Sequence, residues 1–421
     1  MKNPVIVLGG LVVAVCSVLL TGCATNSKVS AGSGEADPGS DYVSVRSYGA
    51  RGDGRTDDTA AVQAALDAGK NVYFPSGQYL ITRSLRVKSS GQTLFGHGRN
   101  QYAERPATST IYVPKDLAAP VFLVDAHKVM FLGLSMCGPG KSSKTTAILY
   151  QKTQNSDDVD GMVMGCAIKR FGVGIRIVGR GLRVERSIFA SITEVVQIDW
   201  PTENLAGEGL QRMPYGMRAF FFFNNRVHTC STFVVNEGPK ARHLWGLSLT
   251  GNLLDIGDAL FRGAATYSNI SGNTICHTRR TPILFRELCH STVIADNVIS
   301  GGDSPGGKRP AYGIWFEGAC HDVTINGNVF ANIRNAGILF AADTQEHIVV
   351  NANIFNQVGL DKPATRSVLQ FSRPATNIVI TANSFRPGPD GAPVIVAAPA
   401  GGLTGVEMTA NVSEAGKTLR R

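Results

Sequence analysis

The chain has 421 residues, enough by length alone for nearly three domains, yet only 17% are charged, against about 25% in typical globular proteins. Its 47 glycines, 19 prolines and 8 cysteines make it Gly-rich without being Pro-rich or Cys-dense, which excludes disorder, collagen and a small disulfide scaffold. The 41 basic and 32 acidic side chains give a formal charge of +9 and favour an acidic partner: a uronate polymer, an anionic surface or nucleic acid.

Residues 1–22 read as an export signal, with Lys2 as the positive end and an apolar run from Val5 to Leu20. The run closes on Leu20-Thr21-Gly22-Cys23, which resembles the lipobox of bacterial lipoproteins. That resemblance implies cleavage before Cys23, acylation (palmitate among the chains) at Cys23, and, with Ala24 and not Asp following, the outer membrane of the cell envelope. Residues 23–41 are small and polar and form a flexible tether behind the lipid anchor.

The folded body is expected over 42–412, with 413–421 as a tail. Near its start, Thr56 or Asp57 can N-cap a short helix, Val62, Ala65 and Leu66 give that helix one apolar face, and Gly69 ends it. The run VRSYGARGDGRTDDTAAVQAAL, followed by NVYFPSGQYLI and TLFGHG, resembles the entry segment of the pectate-lyase-like superfamily. That resemblance implies a right-handed parallel β-helix in which this helix covers the open end. Asp53, Asp57, Asp58 and the Gly-His-Gly at 96–98 are expected to be caps and turns.

Further along, a motif recurs: apolar, polar, Gly or Ala, Asn, any residue, apolar. It is clearest as LTGNLL (249–254), ISGNTI (270–275), INGNVF (325–330), VNANIF (350–355) and ITANSF (380–385). Intervals of 21 to 38 residues separate its members between Leu134 and Asn411, so loops of different length hang on a constant unit. Between them recurs a second, alternating motif: GIRI (174–177), ALFR (259–262), PILFRE (282–287), GIWFEG (313–318) and GILFA (337–341). Each repeat therefore offers two or three short strands and almost no helix, and stacking buries a column that no single repeat could bury. The expectation is one all-β solenoid of about 10 to 12 coils, not three domains. The recurrent Asn suits a sharp bend, where it tolerates a left-handed backbone and can bond to the Asn of the next coil.

In this superfamily the strand carrying the second motif faces the sugar-binding groove. Alternation places Ile314 and Phe316 inward and Trp315 and Glu317 outward. The same columns give one row of Gln197, Val234, Leu260, Leu284, Trp315 and Leu339, and a second of Asp199, Asn236, Arg262, Arg286, Glu317 and Ala341. Insertions at 200–218 and 300–311 are placed to wall the groove, and Lys240, His277, Arg280 and His290 fall in adjacent turns.

A groove of this kind suits an acidic, uronate-containing polysaccharide. Elimination needs a cation to offset the uronate carboxylate and a base to take the C5 proton. Arg262 and Arg286 are the catalytic candidates, with His277 or His290 as alternative bases; Trp315 is the sugar platform, and Gln197, Asp199, Asn236, Glu317, Lys240 and Arg280 line the site. A lyase is the leading reading. Epimerisation shares its proton abstraction, though the His-bearing acidic motif of alginate epimerases is not visible. A polygalacturonase-like hydrolase would use paired carboxylates, although adjacent groove aspartates followed by a later Gly-His-Gly are missing. A non-catalytic polysaccharide-binding surface protein is the third reading, as is a charged face in which Arg262 and Arg286 merely pair with Glu317 and Asp199.

Calcium, which many relatives use, stays open, because the row holds no dense acidic cluster. No CxxC occurs and the Cys and His spacing does not read as a zinc motif, so no metal site is expected. Cys289 and Cys320 share an offset and form either a disulfide or a buried ladder. Nucleic acid is not expected, and the chain is read as a monomer.

Overall fold

One repeat of the sequence makes one turn of a coil, and the coil around Asn252 shows how. Leu247–Thr250 runs as a strand, Gly251 and Asn252 turn the chain, Leu253–Asp255 forms a second strand, and a further bend leads into Ala259–Gly263. Each of these pairs in parallel with its counterpart one coil on: Leu249 with Ile270, Leu254 with Ile275, Phe261 with Ile283. Repetition builds three long sheets, which we call A, B and C, of 14, 15 and 12 strands. The chain is thus an all-β parallel β-helix, with one short α-helix among the described residues. A computed structural model describes residues 41–98, 108–151, 158–199, 219–237, 244–302, 309–360, 367–386, 394–399, 402–413 and 418–419. The signal, Cys23, the tether to residue 40 and most of the tail lie outside these.

The interior is a column of inward side chains, repeated coil by coil. Phe285, Phe316, Phe340 and Phe371 stack with ring centroids 5.1, 5.1 and 4.7 Å apart and planes within 10°. This is the strand spacing of a parallel sheet expressed in side chains.

The recurrent Asn lines the bend from sheet A to sheet B. Eight of them, from Asn225 to Asn411, are buried and joined in one ladder: each Nδ2 donates to the Oδ1 of the next, as in Asn252 to Asn273 at 3.0 Å and Asn297 to Asn328 at 2.9 Å. The same Nδ2 also satisfies a strand carbonyl, and each Oδ1 takes a backbone N–H as well. The expected left-handed backbone sits one residue earlier, at Gly251, Gly272, Asp296, Gly327, Ala352 and Ala382, with φ between 54° and 67°. That explains the Gly or Ala of the motif: the αL position wants a small residue, and the Asn supplies hydrogen bonds.

The helix spans Thr59–Asp67 and buries Val62, Ala65 and Leu66 against the end of the column. Its N-cap is Asp58, not Thr56 or Asp57. The Asp58 carboxylate instead accepts the N–H groups of Arg51 and Gly52 at 2.7 and 3.0 Å, while Asp57 accepts from Thr59 N–H at 3.0 Å. Asp57 also takes the hydroxyls of Thr59 and Thr82, so both aspartates are committed to local hydrogen bonds. At the other end, Thr418–Leu419 pairs antiparallel with Asn411–Ser413 and covers part of the last edge. Cys289 and Cys320 are register partners in sheet A and both are free, buried thiols, so the ladder and not the disulfide is what forms.

Candidate functional site

Sheet C carries the second motif, and its outward rows can be read directly from the strand register. Gln197 pairs with Val235, Val235 with Arg262, Arg262 with Leu284, Leu284 with Trp315 and Trp315 with Leu339. The next outward row holds Asp199, Glu237, Arg286 and Glu317, the residues that follow the inward positions Asn236, Phe285 and Phe316. Two coils therefore differ from the alternation reading. Strands of sheet C enter with two consecutive buried residues, Phe233 and Val234 or Leu260 and Phe261, which delays the alternation by one position. Val234 and Leu260 point inward, Arg262 moves into the Trp315 row, and Asn236 is not on the outer face of the sheet. Asn236 is 1% exposed, with Nδ2 donating to Ala264 O at 3.1 Å.

The shift brings in a residue that alternation missed. Glu237 lies between both arginines, accepting from Arg262 Nη2 at 2.6 Å and Arg286 Nε at 2.8 Å, and Arg286 Nη1 continues to Glu317 at 2.5 Å. One coil earlier, Arg176 Nε donates to Asp199 at 2.6 Å. The face is a charge-balanced lattice, not a basic groove: Arg176, Arg262 and Arg286 are interleaved with Asp199, Glu237 and Glu317. Hydrogen bonds from Arg286 to Glu237 and Glu317 hold its guanidinium more firmly protonated than usual, which opposes a role as proton acceptor. A calcium ion does not fit here, because guanidinium groups already hold the carboxylate oxygens it would need.

A further carboxyl completes the patch. Glu194 opens the strand Glu194–Asp199, and its pKa is raised, first by burial, then by the nearby charges of Glu237 and Asp199 against the opposing pull of Arg262 and Arg176. Trp315 is half-buried beside Tyr312, with ring centroids 5.6 Å apart, and its indole N–H has no partner among the described residues. The sheet thus offers arginine-paired carboxylates, one carboxyl with a raised pKa, guanidinium donors and an aromatic face.

Other candidates fall elsewhere. His277 follows the sheet B strand Thr274–Cys276 and lies at the corner before sheet C, the opposite end of the strand from Arg286. Arg280 is exposed on the same turn, where Arg279 pairs with Asp258 at 3.2 Å. Lys240 lies outside the described residues, as do most of the two insertions. His290 lies near the start of the sheet A strand Cys289–Ala295, in an outward column that alternation did not reveal. Trp245, Tyr267, His290 and His321 follow one another at centroid distances of 5.2, 4.7 and 5.0 Å, the two imidazoles stacked within 2° of parallel.

Comparison with known proteins is consistent with this architecture. Residues 42–180 match the family model for "Rhamnogalacturonase A/epimerase, pectate lyase-like". A probable glucan endo-1,3-beta-glucosidase of Arthroderma benhamiae is 55% identical over 49 residues, 11% of this chain and 6% of that protein. Alginate lyase 7 of Azotobacter vinelandii is 54% identical over 43 residues, 9% of this chain and 5% of that protein. The matched segment thus spans only about a twentieth of these curated relatives. The N-terminal fragment of bacteriophage phi29 gene product 12 superposes with a TM-score of 0.60 at 15% identity, over 90% of this chain and 73% of that one. What these structures share with the chain is the parallel β-helix fold.

Proposed function

We propose that the chain binds and cleaves a uronate-bearing polysaccharide along the outer face of sheet C, by carboxylate acid–base chemistry. The observation that carries this is Glu194, a carboxyl whose pKa burial raises on the strand that ends in Asp199, with Glu237 among the charges acting on it. Glycoside hydrolysis requires two carboxyl groups, one to protonate the leaving oxygen, here Glu194, and one to activate water or attack, here Asp199 or Glu237. Arg262 and Arg286 then serve as binding groups for uronate carboxylates, exchanging Glu237 and Glu317 for the polymer, and Trp315 stacks on a sugar ring. A panel of pectate, rhamnogalacturonan, alginate and glycosaminoglycan, assayed for new reducing ends, tests it. Activity on one polymer that falls at least 100-fold in Glu194→Gln supports the reading, and cleavage unaffected by that change overturns it.

The second reading is β-elimination, favoured by the position of His290. Its ring lies edge-on to Tyr267 with centroids 4.7 Å apart, so a base and a phenol stand together four residues past Arg286 in the chain. New ultraviolet absorbance from unsaturated ends, lost in His290→Ala, would select it over hydrolysis. A polymer retained by the protein but never cut would select binding alone.

We place the protein in the cell envelope through acylation of Cys23. Mass spectrometry of the mature N-terminus checks this, with a diacyl or triacyl cysteine expected and its loss in Cys23→Ser.

A further inference from the structure

The corner from sheet B to sheet C gathers a second set of reactive side chains, away from the groove row. His228, Asp255 and Cys276 occupy one register position on three successive coils, each three residues after a ladder asparagine. The next residue in each coil, Thr229, Ile256 and His277, is left-handed with φ of 53°, 54° and 55°. In the third coil that corner residue is itself a histidine, so its ring returns over the row. His277 Nδ1 lies 3.1 Å from Asp255 Oδ1, and His228 Nδ1 lies 3.2 Å from Asp255 Oδ2. Ligand atoms of Asp255, Cys276 and His277 all lie within 4.8 Å of one another. Room for the His277 ring is made by Gly302, where a Cβ would come within 2.8 Å of His277 Cδ2.

We infer that Asp255, Cys276 and His277 form a site for a divalent transition metal of the zinc type, with His228 holding the second oxygen of the carboxylate. The donor set of one imidazole, one thiolate and one carboxylate is that of zinc, not calcium or magnesium. Tetrahedral bonds of about 2.0–2.3 Å place neighbouring ligand atoms roughly 3.3–3.8 Å apart, so the imidazole and carboxylate already stand within a few tenths of an ångström of that spacing. The sulfur closes the rest by a turn about its Cα–Cβ bond, giving up only a weak S–H contact to Leu254 O at 3.7 Å. Three protein ligands leave a fourth position for water, and His228 orients the carboxylate as an outer partner. All of the residues are half-exposed, so the ion has a direct path from solvent.

The test uses the purified full chain in detergent and needs no polysaccharide. Cobalt(II) serves as the spectroscopic probe and zinc as its competitor. One cobalt per chain is expected, with a thiolate-to-metal absorption band that Cys276→Ser abolishes and zinc displaces. Affinity should fall at least 10-fold in Asp255→Asn and in His277→Gln, and about 10-fold in His228→Gln. It should not change in His321→Gln, whose ring lies on sheet A. On the unaltered protein, zinc should slow alkylation of Cys276, read by peptide mass spectrometry. An unchanged alkylation rate at saturating zinc overturns the inference, as does cobalt binding that survives in the Cys276→Ser/His277→Gln double variant.

Discussion

Replacing Asn297 with alanine removes one rung from the middle of the buried ladder. Asn297 is 0% exposed; its Oδ1 accepts from Asn273 N–H at 3.0 Å and Asn273 Nδ2 at 2.9 Å, and its Nδ2 donates to Ile270 O at 2.8 Å and Asn328 Oδ1 at 2.9 Å. The alanine leaves Asn273 with a backbone N–H and one amide hydrogen stranded, and strips the side-chain donor from Ile270 O. Asn328 Oδ1 keeps its bond from the residue 297 backbone N–H at 3.0 Å. Three buried polar groups at about 1–3 kcal/mol each give a loss of about 3–9 kcal/mol. A water entering the polar gap moves the expected value toward the lower end. Urea unfolding of the full chain, followed by far-ultraviolet circular dichroism, reads this as a lower midpoint. Asn351→Ala is the internal control, because Asn351 Nδ2 to Asn326 Oδ1 at 3.1 Å is a partly exposed amide pair and should cost about 1 kcal/mol or less. Equal losses in the two variants, or a loss at Asn297 below about 1 kcal/mol, would refute the claim that burial makes the ladder matter.

Three further outcomes are expected. Ala382→Gly, at φ 55°, should raise thermal stability by about 1 kcal/mol, because the left-handed backbone penalises a Cβ; differential scanning calorimetry checks it. Folding raises the Glu194 pKa, so the native state holds that proton more tightly than the unfolded chain, and the residue costs stability above its ordinary value of 4.5 and none well below it. Glu194→Gln should therefore stabilise the protein at neutral pH, a gain that vanishes on acidification, measured as melting temperature against pH. Glu237→Gln removes the charge that pairs Arg262 and one of the two that pair Arg286, so retention on a uronate polymer should rise in affinity electrophoresis while turnover falls.

The ladder was legible because its signal is local: a small residue, an Asn and flanking apolar residues repeat within six positions, and the physics that demands them acts within one bend. The entry helix was legible for the same reason, though its cap moved one residue because Asp58 bonds backward to Arg51 and Gly52. The groove rows were legible in the coils of Gln197, Leu284, Trp315 and Leu339, where counting from the motif kept the right phase. In the Val234 and Leu260 coils the doubled inward pair shifted the phase, which hid Glu237 and promoted Asn236. His277 and Arg286 are nine residues apart and read as neighbours, yet a corner and a whole strand separate them. The opposite error hid the His228, Asp255 and Cys276 row, whose members are 27 and 21 residues apart and adjacent in space. Counting three positions from each ladder Asn would have revealed it.

The ladder has a consequence for how such a chain can change over time. Each rung bonds only to the coils before and after it, and the rungs are interchangeable, so an excised or duplicated segment that begins and ends at equivalent Asn positions closes the ladder again. Between Asn225 and Asn411 the rungs are spaced by as few as 21 and as many as 31 residues without a break in their bonding. Length change in this protein is therefore quantised: whole coils can be gained or lost as discrete copies, and corner loops can drift freely. A shift of one residue inside a strand is the alteration the architecture cannot absorb.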